Sequence, residues 1–111
     1  MSAMAVEKRS EPRFRVLLRS KLVYGDGLIS IDATVKNSSP HGALLTLTQP
    51  QALPDNLFLL DLRAGVAHEA HVAWRRLPQI GVQFTRTHKL DHPATPELRV
   101  LRRMWLALAT P

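Results

Sequence analysis

The chain has 111 residues, 45% of them hydrophobic, and carries 15 lysines and arginines against 9 acidic residues, for a formal net charge of +6. This length supports one domain with a single core, which excludes a two-domain enzyme and a wholly disordered chain. The chain contains no cysteine, which excludes disulfides, thiolate zinc sites and cysteine nucleophiles.

The segment up to Pro12 is polar and charged. We expect residues 1–6 to be disordered and residues 7–111 to form the folded domain. Residues 14–24 are rich in leucine and β-branched side chains and predict a first strand. The run Gly25-Asp26-Gly27 predicts a hairpin turn after it, because glycine supplies the positive φ that such turns require.

Residues 28–36 alternate between apolar and polar side chains, which predicts a second strand with one buried face. Residues 37–42 then predict a sharp turn. Short apolar runs bounded by turn residues predict four further strands, at 43–48, 56–62, 66–74 and 80–84. Six short strands favour a mainly-β fold, a closed six-stranded antiparallel barrel of the split or Greek-key type, because closure removes exposed sheet edges.

The last segment predicts a C-terminal amphipathic helix. Thr95-Pro96-Glu97 combines a hydroxyl cap, a proline at the first helical position and an acid in the first turn. Apolar side chains then recur at helical spacing, and we expect this stripe to dock on the barrel: Leu98, Leu101, Trp105 and Leu108. Three arginines point elsewhere: Arg99, Arg102 and Arg103.

Two short motifs frame the first two strands. Arg9 and Arg13 form an R-x-x-x-R before the first strand, and Asn37, Ser39 and Gly42 form an N-x-S-x-x-G after the second. In this order and at this separation, the pair resembles the PilZ domain family. The resemblance covers roughly residues 7–108 and includes Val72-Ala73-Trp74, the Gly81-Val82-Gln83-Phe84 strand and the terminal helix.

The resemblance implies a receptor for cyclic di-GMP, a bacterial second messenger with two guanines and two phosphates. On the family pattern, Arg9 and Arg13 hold guanine and phosphate, while Asn37, Ser39 and Gly42 form the opposite wall. Asn37 stands where aspartate is commoner, which keeps an acceptor for guanine amines but loses the charge. Independently, an arginine fork matches the O6 and N7 acceptors of guanine.

Two further residues are candidate ligand contacts. In the family, a basic residue directly before the first motif arginine accompanies the binding of two stacked ligand molecules, and Lys8 occupies that position here. Trp74 is a candidate to stack on a guanine, with core packing as the alternative.

The sequence offers little for catalysis or metal binding. We find no nucleophile elbow, phosphate-cradling glycine loop or zinc-protease motif, and we predict no enzyme, no catalytic residue and no cofactor. His68 and His71 face opposite sides of a strand, so they cannot share a metal ion. We interpret His88, Asp91 and His92 as exposed loop residues, and we predict no metal site.

The sequence thus predicts a receptor that changes its surface on binding cyclic di-GMP and passes the signal to an unidentified protein partner. A ligand-free adaptor of the same fold is one alternative. A basic small barrel that binds nucleic acid is another, although the six scattered aromatic residues do not favour it. We expect no nucleic-acid partner and no membrane span, since no apolar run approaches about 18 residues. With no apolar signal-peptide core, we predict a cytoplasmic location.

Overall fold

The computed structural model describes residues 14–49 and 51–109, with the backbone alone at 14–18 and 109. Six antiparallel strands in this part of the chain close into a barrel in the spatial order β1-β2-β3-β6-β5-β4. The strands are β1 Phe14–Tyr24, β2 Ile29–Ser39, β3 Gly42–Leu47, β4 Asn56–Asp61, β5 Val66–Arg76 and β6 Gln79–Lys89, and the helix α1 Pro96–Ala109 follows them. The predicted mainly-β barrel with a C-terminal helix is confirmed.

Every strand contributes alternate apolar side chains to the barrel interior, because successive side chains of a strand point to opposite faces. The interior cluster comprises Leu22, Ala33, Val35, Leu45, Leu47, Leu57, Leu59, Ala70, Val72, Ile80 and Val82. In β2 the alternation holds at Ala33 and Val35, which are buried. It fails at Ile29, which is 44% exposed beside the β1–β2 hairpin.

The turn predicted at residues 37–42 is wrong in its extent. β2 continues through Ser39, and β3 already begins at Gly42, so the chain reverses only at Pro40 and His41. Residues 37, 38 and 39 pair with residues 44, 43 and 42 of β3. Cross-strand pairing therefore satisfies backbone groups that Asn and Ser side chains would otherwise bind in a local turn.

The helix closes a second apolar cluster on the outside of the barrel. Leu98 and Leu101 are buried there against Val23, Leu60, Ala67 and Leu90. Thr95 caps the helix as predicted, since its hydroxyl accepts a hydrogen bond from the backbone N–H of Leu98 at 3.2 Å.

The predicted stripe ends one turn early. Trp105 donates its indole N–H to the carbonyl of Leu62 at 3.1 Å, in the turn between β4 and β5. Leu108, predicted to dock, is 46% exposed, because the helix there has passed the turn on which Trp105 packs. No helix in the described part of the chain has the length and apolarity needed to cross a membrane.

Candidate functional site

An open groove lies on the outer face of the barrel, across β2, β3, β6 and β5. Its volume is about 370 Å³. Asn37, Ser39, Gly42 and Trp74, four residues singled out from the sequence, all line it. The groove therefore brings together two segments of the chain that lie more than thirty residues apart.

One row of cross-strand partners forms the floor of the groove. Trp74 of β5 pairs with Gly81 of β6, Gly81 pairs with Leu44 of β3, and Leu44 pairs with Asn37 of β2. We call these four residues the Trp74 row. They face outward, because their neighbours on β3 and β6 point into the barrel core.

Two β-bulges place the ends of this row. In a regular strand, Trp74 would share the inward face of Val72, and Asn37 that of Val35. The register shifts between Val72 and Trp74 and again between Val35 and Asn37. Each shift turns the second residue outward, which is how bulges re-aim side chains at the edges of binding sites.

Gly81 lets the indole of Trp74 lie on the barrel wall. A Cβ at position 81 would overlap the pyrrole part of that ring. Trp74 is nevertheless 44% exposed, so the ring also presents surface to the groove. A large aromatic surface beside polar groups suits the stacking of a nucleobase.

A second row runs parallel to the first. His71 pairs with Gln83, Gln83 pairs with Gly42, and Gly42 pairs with Ser39. We call these four residues the Gln83 row. Gly42 is extended in β3, and a Cβ there would overlap the carbonyl oxygen of Val82. Glycine is thus required for close packing of β3 on β6, and it leaves the space between Gln83 and Ser39 open.

The turn at His41 is hydrogen-bonded to Ser39 at the end of β2 and to Phe84 of β6. The backbone N–H of His41 donates to the Ser39 hydroxyl at 3.3 Å. Its carbonyl accepts a hydrogen bond from the backbone N–H of Phe84 at 2.7 Å. Ser39 therefore uses its oxygen as an acceptor within the protein, while its O–H remains able to donate to a ligand.

The described lining of the groove carries no lysine, arginine, aspartate or glutamate, and His41 is its one titratable residue. An anionic ligand therefore needs cations from elsewhere. Lys8, Arg9 and Arg13 lie outside the described residues, as does the segment 1–6 that was predicted to be disordered. Arg13 is bonded to Phe14, whose register partner is Ser38, next to Ser39.

The other sequence candidates do not form a metal centre among the described residues. His68 stacks on Phe84 with ring centroids 4.1 Å apart, whereas His71 lies on the outer face. Burial lowers the pKa of His68, and the nearby Asp61 carboxylate partly opposes that effect. His88 instead pairs with Glu69 at 2.6 Å, so it is a half-buried strand residue and not the exposed loop residue predicted.

Sequence reasoning missed Leu44, Gly81 and Gln83 as lining residues. Gly81 and Gln83 alternate with the apolar Ile80 and Val82, a pattern that could have placed them on the outer face. The role of Leu44 depends on its pairing with β6, which no local pattern carries.

The family model of the PilZ domain matches residues 7–94. A crystal structure of the PilZ domain of CeSA, from a cellulose-synthesizing bacterium, is similar to this structure with a TM-score of 0.52 at 16% identity, covering 88% of this chain and 98% of that chain. No curated protein shows significant sequence similarity to the chain. With the family match spanning most of its length, the chain belongs to the PilZ domain family.

Proposed function

We propose that this protein is a receptor for cyclic di-GMP that passes the signal to a protein partner. PilZ domains are binding and adaptor domains, and the family generally recognises this nucleotide. One observation carries the proposal: the barrel gathers the motif residues Asn37, Ser39 and Gly42 and the candidate stacking residue Trp74 around a single groove.

Each described residue suits one part of such a ligand. The indole of Trp74 offers a stacking surface, and base–aromatic stacking contributes about 1–3 kcal/mol per base. The amide of Asn37 can exchange hydrogen bonds with the edge of a base stacked there. The Ser39 hydroxyl can donate to a phosphate oxygen, and Gly42 leaves room for the phosphate to approach the backbone.

In this proposal, the segment before β1 supplies the cations that neutralise the phosphates of the ligand. Two phosphates need cationic partners, and the described lining of the groove holds neither lysine nor arginine. Arg13 is one peptide bond from a residue paired with Ser38. Arg9 is four residues farther, within about 14 Å of extended chain. We assign guanine and phosphate contacts to both arginines, and we keep Lys8 as a further contact.

The proposed signalling step follows from this division of the site. If the ligand joins Arg9 and Arg13 to the groove, residues 7–13 come to cover the outer face of β2, β3 and β6. That closure changes the surface that a partner protein meets. The ligand is bound without chemistry, so no residue is assigned a catalytic role.

Calorimetric titration of the purified chain with cyclic di-GMP tests this proposal, with GTP as the control nucleotide. We expect saturable heat with cyclic di-GMP alone. Arg13→Ala should weaken binding about tenfold to hundredfold, the range expected for one lost bidentate contact to guanine. The matched control is Arg103→Ala, which removes an exposed arginine of α1.

Two outcomes would contradict the proposal. A flat titration with folded protein would favour a ligand-free adaptor. Equal weakening by Arg13→Ala and Arg103→Ala would indicate that net charge alone, and not the motif, drives binding.

A further inference from the structure

The outer side of α1 carries a row of three arginines. Arg99, Arg102 and Arg103 follow one another at helical spacing, with Arg99 and Arg103 exposed and Arg102 half-buried. Leu98 and Leu101 bury another face of the helix against the barrel. We propose that this arginine row docks an acidic amphipathic helix of the partner protein. The inference rests on the proposed function, and it adds the surface and the chemistry by which the partner is recognised.

The arginine row lacks counter-charges in the described part of the molecule. Within those ranges, none of its three side chains forms an ion pair or a hydrogen bond. Three and four positions after Arg99 stand Arg102 and Arg103, and like charges at this spacing destabilise a helix. Glu97, the one acid of α1, stands two residues before Arg99 and does not face it. Acids supplied by another chain would remove this repulsion.

Arg102 has the greatest need of a partner. Its Nε is buried but has no hydrogen-bond partner among the described residues, so part of the guanidinium has lost water without gaining an acceptor. Such a cation gains more from a carboxylate than a fully hydrated one does, because part of its desolvation cost is already met. Its side chain is also restrained by burial, which lowers the entropy lost on binding. A carboxylate can meet a guanidinium through two parallel hydrogen bonds.

Exposed leucines flank the row, and they favour an amphipathic helix over a nucleic acid. Leu106, one turn after Arg102, is 42% exposed, and Leu28 in the β1–β2 turn is 88% exposed. The turn lies beside α1, since a Cβ on Gly27 would approach Val100 to 3.1 Å. A helix with acids along one row and apolar side chains beside it covers the arginines and both leucines. A phosphodiester backbone would leave the leucines in water.

A lipid surface fits this face less well than a protein helix does. A helix that lies in a membrane interface buries its own apolar face in the lipid. In α1 that face is already buried, because Leu98 and Leu101 pack on Val23, Leu60 and Leu90 of the barrel. The row would therefore meet a bilayer through its charges alone, with little apolar area to insert.

The arginine row is separate from the groove. No residue of α1 is among the described residues that line it. A partner helix can therefore dock on α1 whether or not the groove holds a ligand, and the row acts as a permanent anchor while the groove supplies the switch. We expect the affinity for an acidic helix to be the same with and without cyclic di-GMP.

A synthetic acidic helix tests this inference. The probe is a peptide of about 20 residues, long enough to be helical, with glutamates at positions i, i+3, i+4 and i+7 and leucines beside them. The control peptide carries glutamine in place of each glutamate. Titrated into the full ¹⁵N-labelled chain, the acidic peptide should shift the amide signals of α1 and Leu28 with a Kd below about 1 mM. The control peptide should leave those signals unchanged.

Two double variants of the chain locate the binding. Arg99→Gln with Arg103→Gln should raise the Kd of the acidic peptide about tenfold, as expected for two lost surface ion pairs. Glutamine has a helix propensity similar to that of arginine, so α1 should remain folded, which circular dichroism checks. The matched control is Arg76→Gln with Arg86→Gln, which removes the same charge at exposed positions of β5 and β6. It should change the Kd by less than about twofold.

The outcomes separate the inference from the proposed function. Equal weakening by the two double variants overturns the inference, because net charge alone would then drive binding. Tighter binding of a single-stranded oligonucleotide or of phosphatidylglycerol vesicles than of the peptide overturns it as well. If the chain binds cyclic di-GMP but no acidic peptide at about 1 mM, the inference is wrong and the receptor stands. If it binds the peptide through α1 but not cyclic di-GMP, the receptor proposal is wrong and the docking site stands.

Discussion

At Gly81 a single hydrogen in place of a side chain decides how Trp74 can be used. The backbone of Gly81 lies directly under the indole, and any Cβ there would overlap the ring. Because Trp74 is exposed at 44%, its side chain can swing away from the wall without disturbing the core. The stacking surface of the groove therefore depends on the residue beneath it as much as on the tryptophan.

We predict that Gly81→Ala weakens cyclic di-GMP binding about tenfold, since it displaces the stacking surface, whose contribution is about 1–3 kcal/mol. Calorimetry measures the loss, and the difference in intrinsic fluorescence from the unmodified chain should report the displaced Trp74 ring, since the contribution of Trp105 is common to both proteins. Trp74→Ala should weaken binding by a similar factor. Unchanged affinity in Gly81→Ala would exclude the ring position seen here as the one that meets the ligand.

His68 introduces a pH dependence of stability. Burial lowers its pKa from the ordinary value of 6.5, so the unfolded chain takes up a proton at a higher pH than the folded chain does. Stability contributed by neutral His68 is therefore present above pH 6.5 and is lost as pH falls through 6.5 towards the lowered folded pKa.

We predict that the free energy of unfolding falls between pH 7.5 and about pH 5 less steeply in His68→Gln than in the unmodified chain. Urea unfolding at several pH values measures both slopes. His92→Gln is the control, because the His92 side chain is 92% exposed, and it should retain the original slope. Identical slopes for all three proteins would contradict the assignment to His68.

Four residues that line the groove, Asn37, Ser39, Gly42 and Trp74, were selected from the sequence, whereas the outward orientation of Asn37 and Trp74 depends on two bulges. The motif positions 37, 39 and 42 do line one groove. Regular alternation, however, would have turned both Asn37 and Trp74 into the barrel, beside Val35 and Val72. A bulge is decided by pairing with a neighbouring strand, so a single sequence does not reveal it.

At the scale of whole elements, the strands were predictable because turn residues bound short apolar runs, but their ends were not. β6 was predicted to end at Phe84 and extends to Lys89. Its last residues pair with the start of β5, and this long-range partner overrides their polar composition. Pairing with β3 likewise extends β2 through Ser39.

In the helix, the apolar periodicity of the sequence predicts the packed face correctly but not the number of turns that pack. Leu98, Leu101 and Leu108 share one apolar stripe by sequence, yet Leu101 is completely buried while Leu108 is 46% exposed. Periodicity gives the face of a helix that packs, whereas the length of the surface beneath it decides how many turns pack.

We predict that Leu101→Ala lowers the free energy of unfolding by about 2–5 kcal/mol, the usual cost of truncating a fully buried leucine. Leu108→Ala is the matched control and should change it by less than about 0.5 kcal/mol. Urea titration followed by circular dichroism measures both values. Comparable losses in the two variants would mean that the last turn of α1 packs in solution.

For the molecule as a whole, the surface that packs against the helix and the groove lie on different parts of the barrel. α1 covers the outside of β1, β4 and β5 near Val23, Leu60 and Ala67, while the groove spans β2, β3, β6 and the far part of β5. Substitutions in these two regions share no contacts, so their free-energy effects should add within about 0.5 kcal/mol. The helix can therefore support the barrel without shaping the groove.

Because the chain carries a net charge of +6, a basic nucleic-acid binder is the alternative function to be tested. The salt dependence of the binding affinity distinguishes it from a cyclic di-GMP receptor. Binding to a polyanion releases condensed counterions, and six to ten phosphate contacts cost about 10³–10⁵ in affinity between 50 and 200 mM salt. A dinucleotide with two phosphates carries no condensed counterion atmosphere, so salt only screens its attraction to the protein.

We predict that the Kd for cyclic di-GMP rises less than about tenfold between 50 and 200 mM salt, and calorimetry at both salt concentrations measures the change. A single-stranded oligonucleotide is the comparison ligand. If the oligonucleotide binds more tightly than cyclic di-GMP at low salt, and if its affinity falls steeply as the salt concentration rises, the protein is a nucleic-acid binder and the receptor proposal is wrong.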